Sequence, residues 1–147
     1  WDSNGGTVPA CMGNLKSLNR LDIPGAGLTG SAAPLFESTG LMAVDLSGNK
    51  FTGTIPAQLS NFTRLKFINI DGSHFHGDLP DLSNLNDLEN LHAVNNSLTG
   101  AGNISGAEGL SLGLSGNRFD TIPDAWWSLP QVKKLDLSGN PMTSWPA

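Results

Sequence analysis

The chain repeats itself with a period of 21 to 24 residues, and this periodicity limits its fold more than any other feature. The pentapeptide DLSGN stands at 45–49 and again at 136–140, and GLSGN stands at 113–117. Units of similar sequence start at Leu18, Leu41, Leu65, Leu88, Gly109 and Val132. A period of this length is typical of folds in which each repeat is one supersecondary unit stacked on the next.

One unit shows what each position does. Its apolar residues stand at positions one, four, six and eleven, which are Leu41, Val44, Leu46 and Phe51. The alternation at positions four to six predicts a short β-strand whose fifth side chain points away from the core. Such a strand buries too little surface alone, so we expect successive strands to form one sheet over one continuous core.

A tight turn follows the strand in each unit. Asparagine stands at position nine in four units, where its amide can bond backbone groups buried between coils. The predicted structural ladder is Asn49, Asn96, Asn117 and Asn140. Position eight is glycine or Asn95, residues that tolerate a positive φ. Ala26 and Ser73 replace the ladder asparagine in two units, so those turns need another way to satisfy their backbone groups.

The segments that follow the turns are more specific. The stretches TGTIPAQLSNFTRL, GTVPACMGNLKSL and GDLPDLSNLNDL resemble the plant-type subclass of leucine-rich repeats, with its L-x-G-x-I-P signature. The subclass occurs in receptor-like kinases, receptor-like proteins, polygalacturonase inhibitors, and algal and protist surface proteins. The resemblance implies an α/β-type horseshoe, a right-handed solenoid with a parallel β-sheet on its concave side and short 3₁₀ or helical segments on its convex side. Cys11 is the only cysteine, so the paired-cysteine caps usual in the subclass are not expected.

We expect residues 1–147 to form a single domain or segment of this kind. The repeats are a partial unit at 1–17, full units at 18–40, 41–64, 65–87, 88–108 and 109–131, and a partial unit at 132–147. Because both ends fall inside a repeat, we expect further repeats, caps or other subunits to flank it. Gly100–Gly106 interrupts the signature and predicts an irregular loop, either simple repeat decay or a flexible edge of a binding site.

Other departures from the pattern concern packing. Gly109 and Ser38 stand where larger apolar residues are expected, which predicts thinner packing at both places. Trp126 and Trp145 align with core positions of the second full repeat. Trp127 aligns with positions that are polar elsewhere, which predicts an exposed aromatic side chain on the convex side.

No residue pattern predicts catalysis, a cofactor or a metal. His74 and His76 flank Phe75, but no cysteine or third nearby histidine completes a ligand set. The net charge of −5 gives no basic surface for nucleic acid. No apolar run approaches the ~20 residues of a membrane span.

Repeat geometry instead predicts a recognition surface. Side chains at positions three, five and seven form columns across strands that lie ~4.8 Å apart. The candidate ligand-binding residues on this concave face are Arg20, Asp22, Asp45, Phe67, Asn69, Asp71, His92 and Asp136. In the alternative interpretation, the aspartates at position five are only solvated residues of the repeat template.

The resemblance implies a non-catalytic extracellular recognition module, secreted or at the cell surface, that binds a peptide, glycan or protein. Asn61, Asn95 and Asn103 head N-glycosylation sequons, and Asn61 falls on the convex segment where the subclass often carries glycans. A structural spacer or a subunit of a larger assembly, with contacts through its ends and convex face, is the alternative. Inhibition of a secreted glycosidase is a third and weaker one.

Overall fold

The computed structural model describes residues 5–145, which form a stack of coils. In chain order its elements are η1 (Ala10–Asn14), β1 (Arg20–Asp22), β2 (Thr29–Gly30), η2 (Ala33–Glu37), β3 (Ala43–Asp45), β4 (Lys50–Phe51), η3 (Ala57–Asn61), β5 (Phe67–Asn69), β6 (His76–Asp78), β7 (Asn90–His92), β8 (Ser97–Gly100), β9 (Leu110–Gly113), η4 (Asp124–Ser128) and β10 (Val132–Asp136). The η elements are 3₁₀ helices of five residues each.

Six of the strands form the main sheet. They pair in the order β1-β3-β5-β7-β9-β10, and every pair is parallel. Two small parallel sheets, β2-β4 and β6-β8, follow the turns. The 3₁₀ helices η1, η3 and η4 begin directly after Pro9, Pro56 and Pro123. Proline has a fixed φ suited to a helix start and lacks the N–H that would be unpaired there.

Each coil contributes side chains to one continuous core. Phe51 stacks on Phe75 with ring centroids 5.4 Å apart, and Phe36 stacks on Phe62 at 5.5 Å. All four rings are at most 2% exposed. Because such rings bury large apolar areas, these inter-coil stacks supply much of the hydrophobic stabilisation between neighbouring repeats.

Buried asparagine amides join successive turns. The Asn49 amide donates to the carbonyls of Ile23 and Leu46 at 2.9 and 2.8 Å, and its oxygen accepts the N–H of Leu28 at 3.0 Å. Asn96, Asn117 and Asn140 bond in the same manner, to their own turn and to the preceding coil. One side chain thus satisfies three backbone groups that are buried or partly buried between coils.

Ser73 satisfies its turn without an amide. Its hydroxyl donates to the Leu46 carbonyl at 2.8 Å, which replaces the bond that asparagine makes to the preceding coil. The N–H of Phe51 then donates to the backbone carbonyl of Ser73 at 3.2 Å. Position eight has a positive φ throughout, 68° at Gly48 and 55° at Asn95.

The aspartate of DLSGN is part of the same turn. Asp45 accepts both the N–H and the hydroxyl of Ser47, at 3.0 and 2.6 Å. Asp136 accepts the same two groups of Ser138, at 3.0 and 2.7 Å. The Ser138 hydroxyl and then its N–H, with a smaller contribution from Lys134, lower the pKa of Asp136 from its ordinary value. The carboxylate therefore fixes the end of the strand.

Gly100–Gly106 is closely packed against the preceding coil. A Cβ on Gly106 would clash with the carbonyl oxygen of Ser83, so only glycine fits there. The indole N–H of Trp126 donates to the Gly102 carbonyl at 3.0 Å, and Gln131 donates to the Ser105 carbonyl at 3.1 Å. These contacts from the next repeat hold the short unit in place, which disfavours a flexible edge.

Buried residues lie at or next to the two positions where thinner packing was expected. Leu110, directly after Gly109, is fully buried at 0% exposure. Ser38 is itself buried, and its hydroxyl has no hydrogen-bond partner among residues 5–145. Exposure alone does not measure packing density, so thinner packing at these two positions stays a prediction.

The tryptophans follow the prediction only in part. Trp126 is in the core at 5% exposure, as expected. The prediction for Trp145 was wrong, because this side chain is 63% exposed and its ring lies 5.9 Å from that of Trp127. In other repeats the next coil covers this position, whereas no coil among residues 5–145 covers Trp145. Trp127 is half-buried rather than exposed.

We expect Asn49→Ala to lower the free energy of unfolding by about 3 kcal/mol, because three buried backbone groups lose their partner. Chemical denaturation measures this loss. Asn61→Ala, at an exposed asparagine, is the matched control and should cost less than about 0.5 kcal/mol. Equal costs for the two variants would contradict the ladder.

We expect Ser138→Ala to raise the pKa of Asp136 toward its ordinary value, because the hydroxyl donor is removed. Carboxyl resonances followed by NMR against pH measure it. Asp81 is an internal control, since bonds from Ser83 lower the pKa of that carboxyl in the same manner. Its titration should not move in the variant.

The sign of the accompanying stability effect follows from the lowered pKa. Folding depresses the pKa of Asp136, so its contribution is present above the pKa of an unfolded aspartate, about 3.9. It is lost as the pH falls through the folded pKa. An unchanged Asp136 titration in Ser138→Ala would show that the turn does not hold this carboxylate.

Candidate functional site

The outer face of the main sheet carries the third and fifth side chain of each repeat, and we call it the concave face. The sheet register aligns the third positions as Arg20, Ala43, Phe67, Asn90, Ser111 and Lys134. It aligns the fifth positions as Asp22, Asp45, Asn69, His92, Gly113 and Asp136. Since each strand is only three to five residues long, these two columns make up most of the face.

Most acidic candidates on this face have bonds within the protein. Asp22 pairs with Arg20 at 2.5 Å, the one ion pair among residues 5–145, and their side chains are 41% and 69% exposed. The Asn69 side chain accepts the N–H of Asp71 at 3.0 Å, and Asp71 accepts the N–H of Val94 at 2.6 Å. Together with the two aspartate–serine turns, these bonds give each of the four carboxylates at least one partner within the protein.

Phe67 and His92 are different, because neither the core nor a turn uses them. Their ring centroids lie 5.9 Å apart at an interplanar angle of 47°. Both side chains are half-buried on the third and fourth strands of the sheet. His92 forms no side-chain hydrogen bond with a residue in the described range. The pair is the aromatic centre of the concave face.

Beside this pair lies a notch that the sequence interpretation missed. Gly113 stands between His92 and Asp136 in the fifth-position column, and its missing side chain leaves a cavity of about 180 Å³. The polar side chains around the cavity are Asn90, His92, Ser111, Lys134 and Asp136. The signal in the sequence is the change from DLSGN to GLSGN at the same turn.

The three sequons lie on the surface. Asn61 is exposed at the last position of η3, on the side of the coils opposite to the main sheet. Asn95 is exposed in a turn, and Asn103 is exposed just before one. The oxygen of Asn103 accepts the N–H of Ser105 at 2.9 Å. Glycosylation at these asparagines stays a prediction.

The histidine pair forms no metal site in the described part of the chain. His74 and His76 are both exposed, and residues 5–145 contain no cluster of three or more histidine, cysteine or acidic side chains placed to hold a metal ion. Over the same residues, no helix has the length and apolar character needed to cross a bilayer.

Comparison with known proteins supports the repeat assignment. Residues 40–62 match the family model described as Leucine Rich Repeat. Receptor-like protein EIX1 of Solanum lycopersicum is 33% identical over 120 residues, which are 76% of this chain and 12% of that protein. The chain therefore spans about a tenth of the length of the curated relatives it matches.

Solved structures give the same fold. A TDR receptor superposes with a TM-score of 0.82 and 28% identity, over 92% of this chain and 25% of that one. The Arabidopsis receptor kinase HAESA, in complex with the peptide hormone IDA and the co-receptor SERK1, gives 0.71 and 25%, over 92% and 28% of the chains.

A plant ice-binding protein is also similar, with a TM-score of 0.74 and 25% identity over 92% of this chain and 46% of that one. The shared fold therefore does not by itself give the function. The predicted solenoid class is confirmed by these comparisons and by the parallel sheet. The chain folds as a leucine-rich repeat solenoid and is similar to segments of plant receptor-like proteins and receptor kinases.

Proposed function

We propose that this chain is a non-catalytic recognition module of a secreted or cell-surface protein, and that it binds an extended peptide segment of its partner across the concave face. The observation that carries the proposal is the Phe67–His92 pair. Two half-buried rings lie near the middle of the polar concave face, where they contribute to neither the core nor a turn.

The pair has the properties of a binding hot spot. Binding energy in protein interfaces is concentrated in a few residues, aromatic ones above all, near the centre of the contact. Around the pair the concave face is polar, and its side chains differ from one repeat to the next. Such a surface offers one apolar anchor and a set of position-specific polar contacts, which suits recognition of a chain laid across the strands.

A solved structure of a similar solenoid bound to a peptide supports the choice of a peptide as partner. HAESA is described in complex with a peptide hormone and a co-receptor, and this chain corresponds to 28% of it. A segment of this size provides part of such a surface. A continuous aromatic or charged stripe, as inhibition of a glycosidase would require, is not present on the described concave face.

A second candidate, a structural contact with a neighbouring subunit or repeat, is favoured by a different surface. The Trp127 and Trp145 rings lie 5.9 Å apart, and Trp145 is 63% exposed. They line an open cavity of about 410 Å³ together with Leu137 and Met142. Exposed apolar groups of this kind mark interaction sites.

One binding experiment separates the two candidates. The chain is immobilised and used to select peptides from a random library, and the selected pool is titrated against two double variants. We expect Phe67→Ala/His92→Ala to weaken binding at least about tenfold, because truncation at a hot spot costs more than about 1 kcal/mol. Trp127→Ala/Trp145→Ala is the control and should bind as the unchanged chain does.

The opposite pattern, with binding lost only in the tryptophan variant, would assign recognition to that surface and contradict the proposal. Failure of the library to yield any binding peptide would also contradict it. Circular dichroism and the unfolding midpoint of each variant show that a loss of binding is not a loss of fold.

A further inference from the structure

We infer that the notch beside Gly113 is a specificity pocket for one carboxamide side chain, asparagine or glutamine, of the extended peptide. The inference rests on the proposed function, because the notch opens on the same concave face. It adds the chemical class of one ligand residue and its distance from the aromatic anchor.

The notch is not a requirement of the fold. Gly113 does not adopt a positive φ, and a Cβ built on it would meet its nearest neighbours, the Nδ1 of His92 and a methyl of Val94, at an ordinary 3.5 Å. Other repeats of the chain show that the same place accepts larger groups, since Asp45 and Asp136 stand at the equivalent positions. Glycine here leaves open a space that another residue would fill without strain.

The walls of the notch carry free hydrogen-bonding groups. Asn90, His92 and Ser111 are half-buried, and none of their side chains bonds to a residue within 5–145. Backbone at Leu112 and Gly113 and the side chain of Val94 complete the lining. A ligand group that both donates and accepts can therefore bond to the walls, while its methylene groups contact Val94.

The charges at the notch select a neutral polar group. Lys134 forms no ion pair with any described residue, and the lowered pKa of Asp136 keeps that carboxyl ionised at neutral pH. One cation and one anion face the same small space, so a charged side chain that is attracted by one is repelled by the other. A carboxamide matches both, because its oxygen accepts from the ammonium and its NH₂ group donates to the carboxylate.

The distance to the aromatic pair gives the spacing in the peptide. Phe67 on β5 and Gly113 on β9 are separated by two strand spacings of ~4.8 Å each. An extended chain advances about 3.4 Å per residue, so the carboxamide should stand about three residues from the residue that contacts the Phe67 ring.

The test uses the random peptide library described above, with the sequences of the selected peptides as readout. We expect asparagine or glutamine to be enriched at one position, about three residues from an apolar or aromatic one. In Gly113→Leu the added side chain fills the notch, and the enrichment should fall at least about tenfold, while peptides anchored on Phe67 and His92 are still selected. Ala43→Leu, at the third position of another strand on the same face, is the matched control and should keep the enrichment.

Lys134→Glu provides a second variant that leaves the packing of the strand intact, since Lys134 is exposed. Two anions then face the notch, so the preferred residue should change from a carboxamide to lysine or arginine. Selected peptides without any carboxamide preference, or a preference unchanged in both Gly113→Leu and Lys134→Glu, would overturn this inference and leave the proposed function standing. A library that yields no peptide overturns both.

Discussion

The structure depends on how backbone groups are paired in the tight turns that lie buried between coils. A turn that follows a three-residue strand has too few neighbours to pair its own N–H and C=O groups, and the next coil excludes water from it. Each ladder asparagine bonds one turn to the preceding coil, as Asn49 does through Ile23 and Leu28. Ser73 shows that the constraint lies in the bonds rather than in the residue type, because a hydroxyl and a carbonyl satisfy the same groups.

This constraint separates the residues of the repeat into two classes. Residues of the first class build the turn and the core. They are the apolar positions, the glycine, the asparagine and also the aspartate of DLSGN. Residues of the second class make no such structural contribution. The aspartate accepts two hydrogen bonds from the serine two residues later, so its recurrence needs no ligand. Function is then expected where a residue departs from the template and no structural bond accounts for it, as at Phe67, His92 and Gly113.

Much of the fold could be predicted because it follows from periodicity. A period of about 23 residues with alternating apolar positions determines which side chains share a column, and the sheet register has the same columns. Bonds that depend on three-dimensional proximity could not be predicted. Asp71 and Val94, like Ser83 and Gly106, stand 23 positions apart, so the period places each pair in adjacent coils. It does not show that the Asp71 carboxylate accepts the N–H of Val94, or that only glycine fits against the Ser83 carbonyl. Trp145 was misplaced because alignment gives the position in a repeat but not whether another coil covers it.

The central claim is that ligands contact residues that depart from the repeat pattern, not residues that build the turns. The most direct test is an amide chemical-shift map of the chain, recorded by NMR with and without a peptide selected from the random library. The account predicts that the largest changes occur at Phe67, His92 and Gly113 and their strand neighbours, while the amide of Ser47, in the Asp45 turn, moves little. Changes centred on the aspartate turns, or on the 3₁₀ helices, with Phe67, His92 and Gly113 unmoved, would contradict it.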